Sequence, residues 1–114
     1  MKDFKEIFKS DERFETSRDY RDMIIDLSLN ACSWQTKSMI IMEELAELTQ
    51  AVSKMNRNSS GKDSDEYYVL LEEMADVYIC LLFLQKHYNI DLFDFNRAMN
   101  IKLYRELKRR TDGE

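Results

Sequence analysis

Apolar residues recur along this chain at helical spacing, and no segment shows the strict alternation of a strand. Ile41, Leu45, Leu48, Val52 and Met55 step by 4, 3, 4 and 3, and Leu70, Met74, Val77, Leu81 and Leu84 repeat those steps. Each set lies on one side of an α-helix, so two amphipathic central helices are predicted. Between them, Asn56 to Asp65 is polar and contains Ser59-Ser60-Gly61, the strongest loop signal in the chain. Upstream, Phe4, Ile7 and Phe8 mark a short amphipathic piece within residues 1–10. Phe14, Tyr20, Ile24, Leu27 and Ala31 then suggest a helix from about Asp11 to Ala31. Downstream, the second central helix should end near Tyr88-Asn89, and Asp91 reads as the N-cap of a last helix carrying Leu92, Phe95, Met99, Leu103 and Leu107. Every long helix has one stripe to bury. The expectation is one all-α domain over residues 1–114, an antiparallel four-helix bundle.

Composition narrows the alternatives. The chain has 114 residues, no proline and 2 glycines, too few turn formers for a sandwich or barrel. With 44% hydrophobic residues it can build a core, so disorder is not expected. Lys and Arg number 17 against 22 Asp and Glu, a net charge of −5, which argues against a nucleic-acid partner. The 2 cysteines, Cys32 and Cys80, are far apart and read as ordinary thiols. The longest apolar run, Val77 to Leu84, falls well short of the roughly 20 residues of a membrane span, and the N-terminus lacks a signal-peptide core. A cytoplasmic location without a membrane partner is expected.

The candidate chemistry lies on the two central helices. The first carries Glu43-Glu44-Leu45-Ala46-Glu47 and the second Glu72-Glu73-Met74-Ala75-Asp76. Glu44 and Glu47, like Glu73 and Asp76, are three apart and share a helical face. No Lys or Arg lies three or four residues from any of these six acids, so none has a basic partner within its own helix. Glu44, Glu47, Glu73 and Asp76 each precede a stripe residue, which sets them about 100° to one side of the stripe. A short loop makes the two helices antiparallel neighbours. Glu44 with Asp76, and Glu47 with Glu73, are each equidistant from residue 60 in that loop, so four carboxylates should converge beside the seam. Converging carboxylates either take up protons or bind cations. An all-oxygen donor set suits Mg²⁺, with Mn²⁺ as a substitute. Zinc and a di-iron centre are disfavoured, because the one histidine, His87, lies near a helix end away from the acids.

These two motifs, in the wording IMEELAELTQAVSK and LLEEMADVYICLLFL, resemble the MazG-like all-α nucleoside triphosphate pyrophosphohydrolases, a family that includes dimeric dUTPases and dCTP pyrophosphatases. The resemblance covers roughly residues 30–110 and leaves residues 1–30 unplaced. It implies a hydrolase that cleaves the α–β phosphoanhydride of a nucleoside triphosphate to the monophosphate and pyrophosphate. By motif position, Glu44, Glu47, Glu73 and Asp76 would be the Mg²⁺ ligands, and Glu43 either positions the attacking water or lies at the periphery. Asn100-Ile101-Lys102 with Arg105 fits the family's phosphate-binding pattern loosely, so Lys102 and Arg105 are candidate substrate contacts. The basic run Lys108 to Arg110 reads instead as favourable charge at a helix C-terminus. A lysine that some relatives carry shortly before the second motif is replaced here by Tyr68 and Val69. Trp34 is either a wall for the base or a core anchor. The family also implies a homodimer or homotetramer, in which Phe4, Ile7, Phe8 and Phe14 are candidate interface residues. The alternatives are a catalytically silent helical module that senses nucleotide or binds protein, and hydrolysis of another pyrophosphate-containing substrate.

Overall fold

A computed structural model of the chain describes residues 3–58 and 61–112, and contains five helices and, among the described residues, no strand. The chain divides into two units, residues 1–83 and 84–114. Within the first unit, Asp3 accepts the Glu6 N–H and starts α1 (Phe4–Lys9). Residues 11–17 are exposed and non-helical, so the helix expected from Asp11 begins later, as α2 (Arg18–Asn30). The cause is local. Ser17 is extended and its Oγ accepts the Tyr20 N–H at 3.1 Å, an N-cap that fixes where the helix can start.

Ser33 caps α3 (Trp34–Arg57) in the same way, taking the Thr36 N–H at 3.2 Å. Without proline or glycine to interrupt it, α3 runs for 24 residues and ends with Lys54 and Arg57 in its last turn. The connecting loop is tied at both ends. Asn58 Nδ2 donates to Glu66 Oε1 at 3.1 Å, and the Tyr68 hydroxyl donates to Asp63 Oδ1 at 3.0 Å. Ser59 and Ser60, part of the predicted loop signal, lie outside the described residues. Ser64 Oγ then accepts the Tyr67 N–H, and α4 (Asp65–His87) follows with Asp65 and Glu66 in its first turn.

The core of the first unit consists of Ile25 on α2, Ile41 and Ala51 on α3, and Tyr68, Cys80 and Phe83 on α4. Lys37 is buried among them. α1 fastens to the start of α4: Phe8 meets Tyr68 edge-on at 5.6 Å and Lys5 pairs with Asp65 at 2.7 Å. Phe8 thus packs on a residue of its own chain, yet both it and Phe14 remain exposed.

The predicted stripes need correction. Leu45 is 45% exposed and Met74 54%, while Lys37, Ile41 and Ala51 are the buried positions of α3. The seam is therefore rotated toward the acids. It passes through Glu44, Glu73 and Asp76 instead of beside them, all three being half-buried.

In the second unit, α4 stops at His87, and two residues on Asn89 takes a left-handed backbone with φ 52° and lets the Ile90 N–H return to the Gln85 carbonyl at 2.9 Å. Asp91 Oδ1 accepts the Phe93 N–H at 2.7 Å and starts α5 (Leu92–Thr111), as expected from the sequence. No residue of α5 is buried. No helix among the described residues is long and apolar enough to cross a membrane.

Candidate metal centre

The antiparallel register of α3 and α4 is visible in three cross-helix pairs. Lys37 Nζ lies 4.5 Å from the Phe83 ring centroid, Glu44 and Asp76 are in hydrogen-bonding contact, and so are Glu47 and Glu73. Each pair is equidistant from residue 60, which is the symmetry the acid spacing predicted. Carboxylate oxygens of Glu44, Glu47 and Glu73 all lie within 4.8 Å of one another. Asp76, the fourth predicted ligand, is not among these three, and is tied to them by its interactions with Glu44 and Glu47.

The cluster carries more negative charge than its surroundings offset. Burial pushes the Glu44 carboxyl up, with the charges of Asp76 and Glu47 adding to the effect. Burial, followed by the charges of Glu47, Asp76 and Glu44, pushes Glu73 up to about 7. Asp76 is raised by burial and by Glu47, but its hydrogen bond with Glu44 opposes the rise. Oε2 of Glu44 and Oε2 of Glu73 are buried and take no hydrogen bond from any described group. A buried carboxylate oxygen without a donor is costly, and an ion is one way to satisfy it.

The donor set fits a hard divalent cation. It consists of carboxylate oxygens from two facing helices, the ligand class of Mg²⁺ and Mn²⁺. Cys80 is in electrostatic contact with Glu44 and Asp76, and burial together with those two charges pushes its thiol up to about 11, so it is a poor thiolate ligand for zinc. His87 stacks edge-on against Tyr88 at 4.8 Å at the end of α4.

The remaining site residues divide. Glu43 is exposed, one position before Glu44 on α3. Glu72 is half-buried and raised by burial first, then by Asp76 and by Asp3. Trp34 is half-buried at the first position of α3, ten residues before Glu44, which is about 15 Å of helix rise. The structure therefore does not bring Trp34 into the carboxylate cluster. Lys102 and Arg105 are exposed on α5 in the second unit. Arg105 lines an open groove along α5 with Phe93, Arg97, Asn100 and Tyr104, and Lys102 lies off it.

Sequence reasoning passed over Lys37. Its signal was positional: it stands four residues before Ile41 and seven before Glu44, on the face that becomes the seam. No protein-family model, curated protein or solved structure matches the chain.

Proposed function

We propose that the chain is a Mg²⁺-dependent nucleotide pyrophosphohydrolase that converts a (d)NTP to the (d)NMP and pyrophosphate. The observation that carries this reading is the convergence of Glu44, Glu47 and Glu73 within 4.8 Å, with two buried carboxylate oxygens that take no hydrogen bond from any described group. The motif resemblance supplies the reaction class. Glu44, Glu47, Glu73 and Asp76 would hold the cation, which when bound neutralises phosphate charge and activates water. Glu43, exposed beside the cluster, takes the proton of the attacking water. That water adds to the α-phosphorus, the bond to the α–β bridging oxygen breaks, and pyrophosphate leaves with the electron pair. Lys102 and Arg105 are proposed to bind phosphate oxygens and Trp34 to stack on the base.

In this reading the functional unit is a homodimer or homotetramer, and assembly completes the four-helix bundle. The support is α5, whose predicted stripe of Leu92, Phe95, Met99, Leu103 and Leu107 is exposed throughout.

The test is incubation of the purified protein with the eight common NTPs and dNTPs, with and without Mg²⁺. Pyrophosphate release that stops with EDTA is the expected result. Mg²⁺ binding without turnover of any nucleotide would redirect the reading to another pyrophosphate-containing substrate. Neither turnover nor Mg²⁺ binding would leave the silent nucleotide-sensing or protein-interaction module.

A further inference from the structure

We propose that the groove along α5 receives residues 11–15 of a second copy of this chain, with Phe14 seated between Phe93 and Tyr104 and the Arg97 guanidinium holding the carboxylate of Glu15. The inference rests on neither the carboxylate cluster nor the hydrolase reading. It uses a face of α5 beside the apolar stripe to which assembly was assigned above, and a segment that lies outside the motif resemblance.

Tyr104, Phe93 and Phe14 are 75%, 74% and 71% exposed, the three highest values among the large apolar side chains of the described residues. Single exposed apolar residues are ordinary in a folded protein. Here two of the three share one groove, and the third stands on an acidic segment. Phe93 and Tyr104 are eleven residues apart on α5, so they fall on nearly one line of the helix with about 16 Å of rise between them. Arg97, Asn100 and Arg105 line the same groove, which offers about 540 Å³ and has no acidic residue in its lining. That volume lies within the roughly 300–1,000 Å³ of ordinary ligand pockets.

The segment complements the groove in charge, apolar content and length. Residues 11–15, Asp-Glu-Arg-Phe-Glu, are exposed and non-helical, and carry three acids against one arginine. Extended, five residues span about 16 Å, the separation of the two rings. Among the described residues, Asp11 and Glu15 form no ion pair, and neither do Arg97 and Arg105. A guanidinium takes a carboxylate in a forked geometry, which fixes the register of the segment. Phe14 supplies the apolar anchor, because an aromatic ring buries a large area at one position. Every copy of the chain carries both halves, so a twofold pair makes the contact twice. Arg105 is also a proposed phosphate contact, so the test is built on Arg97.

The test uses the full chain and a fluorescent peptide of residues 10–17, read by anisotropy. The Phe14→Ala chain, whose own segment has lost its anchor, is expected to bind this peptide saturably. Adding Arg97→Glu to that chain, or Phe14→Ala to the peptide, should weaken binding by at least about 10-fold. A peptide carrying Glu15→Arg should bind the Phe14→Ala/Arg97→Glu chain again, which a general loss of structure would not allow. Capture then identifies the second copy as the occupant. Immobilised Phe14→Ala chain should retain the Arg97→Glu chain, which keeps Phe14, more strongly than it retains further Phe14→Ala chain. Both pairs share the α5 stripe, so the difference reports this contact alone. No saturable binding, or binding indifferent to Arg97→Glu and to the loss of Phe14, would overturn the groove as the site. Peptide binding with equal retention of the two chains would overturn the second copy as its occupant. No turnover is measured, so failure of the hydrolase reading would leave every arm interpretable.

Discussion

A carboxyl group with a pKa of about 7, as at Glu73, is close to half protonated at neutral pH, whereas the same group in the unfolded chain, at its ordinary 4.5, is ionised. The folded state therefore holds protons that the unfolded state has released between those two values. Stability from this group is fully present below about pH 4.5 and is lost as pH rises through about 7. Glu44 and Asp76, both raised by burial, act in the same direction. In EDTA the urea midpoint should fall between pH 5 and 8.5, and saturating Mg²⁺ should flatten that fall, since the cation takes the role of the proton. A midpoint that rises with pH in EDTA would show that the carboxylates are not strained against one another. Substitution separates site from scaffold. Glu73→Gln should raise metal-free stability at pH 8 by roughly 1–2 kcal/mol, allowing for the partial exposure of the side chain. Asp76→Ala and Glu47→Ala should each cut Mg²⁺-dependent pyrophosphate release by at least about 100-fold while circular dichroism stays helical. Normal turnover in both alanine variants would remove these carboxylates from the site.

The helices are ended by side chains whose roles can be measured one at a time. Ser17, Ser33 and Asp91 each accept a backbone N–H at the start of a helix, and replacing Ser33 by Ala should cost about 1 kcal/mol. Asn89 occupies a left-handed position with φ 52°, so Asn89→Ala should cost about 1 kcal/mol and Asn89→Gly should not destabilise. Denaturant midpoints of the three variants check both statements, and an Asn89→Gly variant weaker than Asn89→Ala would contradict the second. Much at this level was legible. The loop between α3 and α4, the Asp91 cap and the register centred on residue 60 all follow from local chemistry: polar clustering, a capping carboxylate, and acids placed symmetrically about a short connection. The rotation of the seam did not. Apolar residues occupy both Leu45/Val52 and Ile41/Leu48 positions, so spacing alone favours the acid-free stripe, whereas packing buries Ala51 and Lys37. The early start assigned to the second helix failed for a different reason. Phe14 carries an apolar signal without a helical neighbour, and the Ser17 cap decides the boundary. Lys37 left only a positional trace in the sequence, its place on the seam face, because the burial of a lysine is decided by neighbours in space, here the α2 hydroxyl and the α4 ring.

Amphipathic helices gain most of their stability from burying the apolar face against a neighbour, and propensity alone leaves them marginal. α5 has a full stripe and no buried residue, and Leu103 within it is 59% exposed. In the first unit, Met42, Leu45 and Val52 of α3 and Met74, Tyr78 and Leu81 of α4 are likewise exposed. An exposed apolar stripe along a helix marks an interaction surface in a folded protein, and the same stripe repeated on a second copy is its simplest complement. If a second copy covers α5, wild-type protein at micromolar concentration should sediment as a dimer or tetramer. Leu103→Glu puts a charge at the centre of the stripe, and should shift the mass toward the monomer and lower the denaturant midpoint together. The two readouts are linked because a helix that loses its cover loses its main source of stability. A wild-type chain that sediments as a monomer, with a midpoint indifferent to both Leu103→Glu and protein concentration, would mean that α5 is stable without a partner. The stripe would then need a different occupant.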